Sequence, residues 1–228
     1  MEQFISHKSN AEAMVKGVVP TQEYYLHGSI LDSNRETLLY RLQGSCDGDQ
    51  SKFLDHEQVF VLKGQALNAP DVNVSIRKSL LPVPSGAVRN PCQMRYTNDP
   101  DSDRSKPTMV RTCLDIAVNE DQILQYLKSL GFSFEYEFVS KGYVFRRGRT
   151  KISVSKIHRV LVKGQTEKIE PLTESNLIEF SCTAPAGTEH LQDEIKAYAD
   201  QLKPHVNIDK QDVKRLVSTP GFQNNPNA

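Results

Sequence analysis

Glu135 and Glu137 stand two residues apart in a segment that alternates apolar and polar side chains, Phe132-Ser133-Phe134-Glu135-Tyr136-Glu137-Phe138. On a β-strand, that spacing projects both carboxylates from one face. A divalent cation held inside a barrel needs such a pair, and a metal-dependent phosphohydrolase of the β-tunnel type adds a second acidic pair and several inward cations. Asp55 with Glu57 would supply the second pair, and Lys151, Lys156 and Arg159 the cations. The plainer reading is that Glu135 and Glu137 form the solvated face of a half-buried strand, and the regular alternation favours it.

Other acidic and histidine patterns carry less. His56 lies between Asp55 and Glu57, but on a strand it points away from both, which predicts a satisfied, partly buried histidine. Asp99, Asp101 and Asp103 have the spacing of the first three ligands of an EF-hand. The pattern then fails, with Arg104 where glycine is needed and Val110 where a bidentate glutamate is needed, leaving an acidic loop tip. The six histidines, His7, His27, His56, His158, His190 and His205, show no i,i+4 pair that would aim two rings at one zinc. Cys46, Cys92, Cys113 and Cys182 are at least 21 residues apart, which excludes CxxC chemistry and fits a reducing compartment. Glycine-rich phosphate loops and GxSxG elbows are missing. No catalytic residue, cofactor site or metal site is predicted.

Charge is balanced overall, 28 Lys and Arg against 28 Asp and Glu, but not evenly spread. Residues 141–163 hold eight basic residues and no acid. Arg146, Arg147, Arg149 and Lys151 are the densest part and the candidate partner-binding patch. Tyr143 and Phe145 precede these charges rather than interleave with them, so a protein partner or plain surface is favoured over an RNA-binding barrel.

The elements that would position these groups are mostly strands. Strands are predicted over 23–30, 53–63, 72–77, 93–96, 108–118, 132–138, 143–147, 151–162 and 177–184, with Ile152 and Val154 set against Ile157 and Leu161. A helix is expected after Ser33, capped by Ser33 with Glu36 and stopped at Gly44. A second follows Asn119 and stops at Gly131, and a third runs from about Thr188 to Leu202 and ends at Pro204. A short helix is conceivable around Ala11–Val18. Val61-Leu62-Lys63-Gly64-Gln65 echoes Leu161-Val162-Lys163-Gly164-Gln165, but the flanks differ, so chance is the better account.

Strands arriving in runs predict an α+β, mainly antiparallel β architecture, a curved or closed β-barrel with a few flanking helices. The expected organisation is a weakly ordered segment over 1–20, one barrel domain over 21–217 with a mobile loop at about 98–107, and a disordered tail over 218–228. The N-terminus lacks the apolar run of a signal peptide, and no stretch approaches the ~20 apolar residues of a membrane helix. A soluble intracellular protein is expected, with the Asn73-Val74-Ser75 sequon unglycosylated.

Several blocks in order carry a resemblance. They are Glu23-Tyr24-Tyr25-Leu26-His27-Gly28-Ser29-Ile30-Leu31-Asp32, Leu42-Gln43-Gly44-Ser45-Cys46-Asp47 and Phe53-Leu54-Asp55-His56-Glu57. The strongest follow in the middle: Val110-Arg111-Thr112-Cys113-Leu114-Asp115-Ile116-Ala117, Leu130-Gly131-Phe132 and Glu137 through Gly148. Ala184-Pro185-Ala186-Gly187, Ala199 through Pro204 and Lys214-Arg215-Leu216 complete the set. In these the chain resembles the Mediator subunit 18 family in its animal form, over about 23–216. The resemblance implies an antiparallel barrel flanked by helices and a nuclear, non-enzymatic subunit of the Mediator head module, acting with RNA polymerase II. It also implies two partners, Mediator subunit 20 and a C-terminal helix of subunit 8, with no membrane and no direct nucleic-acid contact. Glu137 lies inside a family block and Glu135 in its variable lead-in, so the pair inherits no catalytic role.

Overall fold

The computed structural model describes residues 21–64, 71–83, 90, 92–101, 103 and 105–211. Expectations for 1–20, for the blocks and tail after 211, and for the stretch 84–89 lie outside these residues. Ten strands are described: β1 (Thr21–Leu31), β2 (Ser51–Leu62), β3 (Val72–Ser79), β4 (Cys92–Thr97), β5 (Met109–Ala117), β6 (Ser133–Arg147), β7 (Thr150–Val160), β8 (Ile169–Pro171), β9 (Ser175–Pro185) and β10 (Ile208–Asp209). Helices α1 (Arg35–Ser45), α2 (Glu120–Ser129) and α3 (His190–Gln201) interrupt them.

Eight strands close a ring in the order β1-β5-β4-β3-β2-β6-β7-β9 and back to β1, every pair antiparallel. Closure removes the free edges that an open sheet would expose. β8 adds to the end of β7, and β10 lies on β1 through His27 and Gly28. That contact needs Gly28, because a Cβ there would sit 2.6 Å from the Asn207 carbonyl oxygen. Gly142 in β6 is tighter still: a Cβ would lie 2.1 Å from the Val154 carbonyl oxygen of β7.

Alternation along the strands separates two environments. The outward residues Tyr24, Leu26 and Ile30 of β1, Phe145 of β6, Ile152 and Val154 of β7, and Ile178, Phe180 and Cys182 of β9 form the main apolar cluster. Leu38, Leu39 and Leu42 of α1 and Leu191, Ile195, Tyr198 and Ala199 of α3 cover it. A smaller cluster lies under α2, where Ile123 and Leu127 meet Val74, Ile76 and Cys92. The core is therefore outside the barrel, between wall and helices. Each large side chain fully buried there contributes about 1.5–3 kcal/mol.

Several local expectations are corrected. Ser33 does not cap α1: Asp32–Asn34 form a 3₁₀ turn, Asn34 is the N-cap without a side-chain bond, and Glu36 instead bonds Arg35. Asp32 holds that turn by accepting from Asn176 Nδ2 at 2.7 Å and pairing with Lys156. Gly44 does not stop α1, which runs on to Ser45. The two short strands expected over 132–147 are one 15-residue strand, and its partners on β7 place Ile152 against Phe145 and Val154 against Tyr143. Leu161 lies beyond β7 in a turn, half exposed, so it opposes neither residue. Val61-Leu62-Lys63-Gly64 ends a strand at Leu62 but Leu161-Val162-Lys163-Gly164 forms a turn, which makes the echo coincidental.

Candidate functional site

Inward residues of the barrel are charged or polar on nearly every strand. Glu23, Tyr25 and His27 come from β1, Asp55 and Glu57 from β2, and Arg77 from β3. Arg95 comes from β4, Arg111 from β5, Lys151 and Ser153 from β7, and Glu179 from β9. They line a cavity of about 840 Å³.

Acids in it are matched to cations. The Glu23 carboxylate, 5% exposed, accepts from Arg95 Nη2 and Arg111 Nε, each at 2.7 Å. Glu57 accepts from Arg77 Nε at 2.9 Å and Nη2 at 2.8 Å. Glu179 lies 3.4 Å from His27 Nε2 and accepts from Ser153 Oγ at 3.0 Å. Burial alone would raise the Glu179 carboxyl, but the hydrogen bond and charge of His27, the Ser153 hydroxyl and Arg77 bring it down to about 2. The Arg111 guanidinium also stacks over the Tyr25 ring, 4.4 Å from its centroid.

Two lumen groups are left over. Burial raises the Asp55 carboxyl, against the pull of Arg77 and Lys151. Burial lowers the Lys151 ammonium, and the like charges of Arg77 and Arg95 push it the same way. The side chains of Asp55 and Lys151 make no hydrogen bond or ion pair among the described residues.

All four acids of the phosphohydrolase reading border the cavity, but they do not converge on one point. Asp55 and Glu57 face the lumen, and Glu57 is held by Arg77. Glu135 is the extra residue of a β-bulge, since Val59 pairs with Tyr136 and Phe60 with Phe134, and it is exposed at the rim. Glu137 pairs across from Gln58 and so shares the outer face with His56, opposite to Asp55 and Glu57. Its carboxylate lies 2.9 Å from His56 Nε2 and accepts from the Gly164 N–H at 2.6 Å. Burial would raise that carboxyl, and the Gly164, His56 and Gln58 bonds lower it. Of the expected cations, Lys156 points outward to Asp32, and Arg159 lies 3.9 Å from Glu170 at the rim. No cluster of three or more His, Cys, Asp or Glu able to hold a metal ion exists among the described residues.

Other expectations fare differently. His56 is indeed buried and satisfied, at 8% exposure, though its partner is Glu137 from another strand. Asp101 pairs with Lys106 at 2.6 Å, and Asp103 accepts from the Ser105 N–H and hydroxyl, so local turn bonds occupy both carboxylates. The basic hairpin divides. Arg147 turns outward, 3.9 Å over the Tyr198 ring and 3.2 Å from Gln201 Oε1. Arg146, Arg149 and Lys151 border a second cavity at that end of the barrel.

Among the described residues, β5 presents apolar side chains at the surface. Leu114 and Ile116, outward on β5, are 44% and 39% exposed, and their cross-strand neighbours on β4 are Tyr96 and Met94. Leu114 and Ile116 belong to neither apolar cluster, whereas Met94 and Tyr96 pack partly against the cluster under α2.

Sequence reasoning missed the Glu23–Arg95–Arg111 and Glu57–Arg77 pairs. The signal was present as polar residues at every second position of β1, β3 and β4, but alternation alone does not tell a lumen from bulk solvent. A barrel turns them inward instead.

A closed eight-stranded wall with helices on its outer face matches known proteins. The Med18 protein family model matches residues 22–217. The chain belongs to this family. Mediator of RNA polymerase II transcription subunit 18 from Xenopus tropicalis is 42% identical over 203 residues, spanning 88% of this chain and 94% of that protein. Its counterpart in Drosophila melanogaster is 40% identical over 219 residues, spanning 94% and 97%. Among solved structures, a chain of the Schizosaccharomyces pombe Mediator head module superposes with a TM-score of 0.66 at 13% identity, covering 83% of this chain and 98% of that one. The likeness to that chain is one of fold.

Proposed function

We propose that this chain is a non-enzymatic scaffold subunit of the Mediator coactivator, working in the nucleus in transcription by RNA polymerase II. Its role is to hold head-module neighbours, namely the barrel of subunit 20 and a C-terminal helix of subunit 8. The observation that carries this reading is the division of labour in the wall. Inside, Glu23 and Glu57 are held by arginines and Glu179 by His27 and Ser153, while the acids a metal would need are dispersed. Outside, β5 leaves Leu114 and Ile116 exposed beside Tyr96 and Met94, a strip suited to the apolar face of a partner helix. The basic hairpin adds no single surface to this, because Arg147 lies outward over Tyr198 whereas Arg146, Arg149 and Lys151 border the second cavity. Family membership supports the same reading.

Co-expression with subunit 20 and the C-terminal segment of subunit 8, followed by size-exclusion chromatography, tests it. A 1:1:1 complex that survives moderate salt is expected. Elution of this chain alone, soluble and monodisperse, would overturn the assignment of partners.

A further inference from the structure

The second cavity, of about 280 Å³, lies at the β6–β7 turn end of the barrel. It shares Glu23, Arg77, Arg95, Lys151 and Ser181 with the larger one. Those side chains lie where the two cavities adjoin. Five cations line it: Arg77 and Arg95 at its floor, and Lys151, Arg146 and Arg149 nearer the turn. Only two acids do so, Glu23 and Asp115. Glu23 is already shared between Arg95 and Arg111, and Asp115 approaches Arg95 at 3.5 Å.

The side chains of Lys151, Arg146 and Arg149 make no hydrogen bond or ion pair among the described residues. Arg146 and Lys151 are also directly opposite each other on paired strands, an arrangement that like charges disfavour. Arg95 Nε, buried at the floor, has no hydrogen-bond acceptor. The Lys151 ammonium is partly buried and crowded by Arg77 and Arg95, and the carboxylates that act on it, Glu179, Glu23 and Asp55, offset this only in part. Guanidinium groups present fixed donor forks that match phosphate oxygens, and an ammonium adds a compact charge. The nearby aromatics, Tyr143 and Phe145, pack outward against the main core, so no ring is offered for a base to stack on.

We propose that this small cavity is a binding site for a small oligophosphate, with Lys151, Arg146 and Arg149 gripping the phosphate chain and Arg77 and Arg95 forming the floor. The phosphates are recognised, whether they come as free inorganic oligophosphate or as the chain of a nucleotide. This is separate from the scaffold role, and its test needs only this chain.

Inorganic tripolyphosphate and a nucleoside triphosphate are titrated into the full chain by calorimetry at low and at physiological salt, with melting temperature followed in parallel. Saturable 1:1 binding is expected, weakening about tenfold or more as salt rises. Equal affinity for both probes assigns the site to the phosphate chain alone, and tighter binding of the nucleotide adds contacts beyond it. Lys151→Met is expected to lose at least about tenfold in affinity while melting higher than the unsubstituted chain without ligand, because it removes a partly buried cation that Arg77 and Arg95 repel. Arg149→Gln weakens binding several-fold, and Lys168→Gln, in the turn at the other end of β7, leaves it unchanged. Absence of saturable binding to both probes overturns the proposal. So does undiminished binding by the doubly substituted Lys151→Met/Arg149→Gln chain, or a Lys151→Met variant that melts lower and still binds.

Discussion

Along β1, the even positions Tyr24, Leu26 and Ile30 press into the cluster under α1 and α3, whereas Glu23, Tyr25 and His27 face the charged lumen. The same wall thus carries an apolar core on its outside and an ion-pair network on its inside. In most small domains the arrangement is reversed. The difference assigns stability mainly to the outer face, because buried ion pairs break about even against their desolvation while apolar burial is a clear gain. It also frees part of the outer face, the β4–β5 strip, to bind another chain.

That comparison can be broken by substitution on either side. The largest loss is expected outside: Phe180→Ala, in full burial and stacked 5.4 Å from Tyr198, should cost about 3–5 kcal/mol in denaturant unfolding. Glu137→Ala, also on the outer face, strips His56 and the Gly164 N–H of their acceptor and should cost about 1–3 kcal/mol, with faster amide exchange at 161–168.

Inside, Glu179→Gln should cost less, about 1 kcal/mol at pH 7, because the carboxylate is 40% exposed to the water of the lumen and its pairing is screened. The sign follows from its carboxyl lying at about 2 in the fold against an ordinary value of 4.5. Its stabilisation is complete above pH 4.5 and is lost as pH falls towards 2. Stability measured across that range should therefore fall less steeply in Glu179→Gln than in the unsubstituted chain. The smallest effect on folding belongs to Leu114→Glu, under about 0.5 kcal/mol, since that side chain is already half in solvent.

Much of the barrel was legible because strand periodicity is local. The alternation of Asp55 and Glu57 against His56 follows from side-chain direction alone, and the antiparallel order from strands arriving in runs. What was not legible depended on closure. The spacing of Glu135 and Glu137 predicts one solvated face for both, yet the bulge at Glu135 and the pairing with Gln58 set Glu137 on the outer face, where it is 5% exposed against His56. Ser33 and Glu36 fit a capping box by spacing, but Asp32, Asn176 and Lys156 converge to hold a different turn, and Asn176 and Lys156 lie more than a hundred residues away. The Glu23, Arg95 and Arg111 cluster likewise joins three strands that no local pattern connects.

The most direct measurement sets the two faces against each other in one experiment. Chains carrying Leu114→Glu/Ile116→Glu, or Glu57→Gln/Glu179→Gln in the lumen, would be co-expressed with subunit 20 and the C-terminal segment of subunit 8 and then resolved by size. The outer-face variant, folded by circular dichroism, is predicted to elute without its partners, while the lumen variant stays in the 1:1:1 complex. A lumen variant that falls out of the complex, or an outer-face variant that remains in it, would contradict the assignment of partner binding to the outer wall.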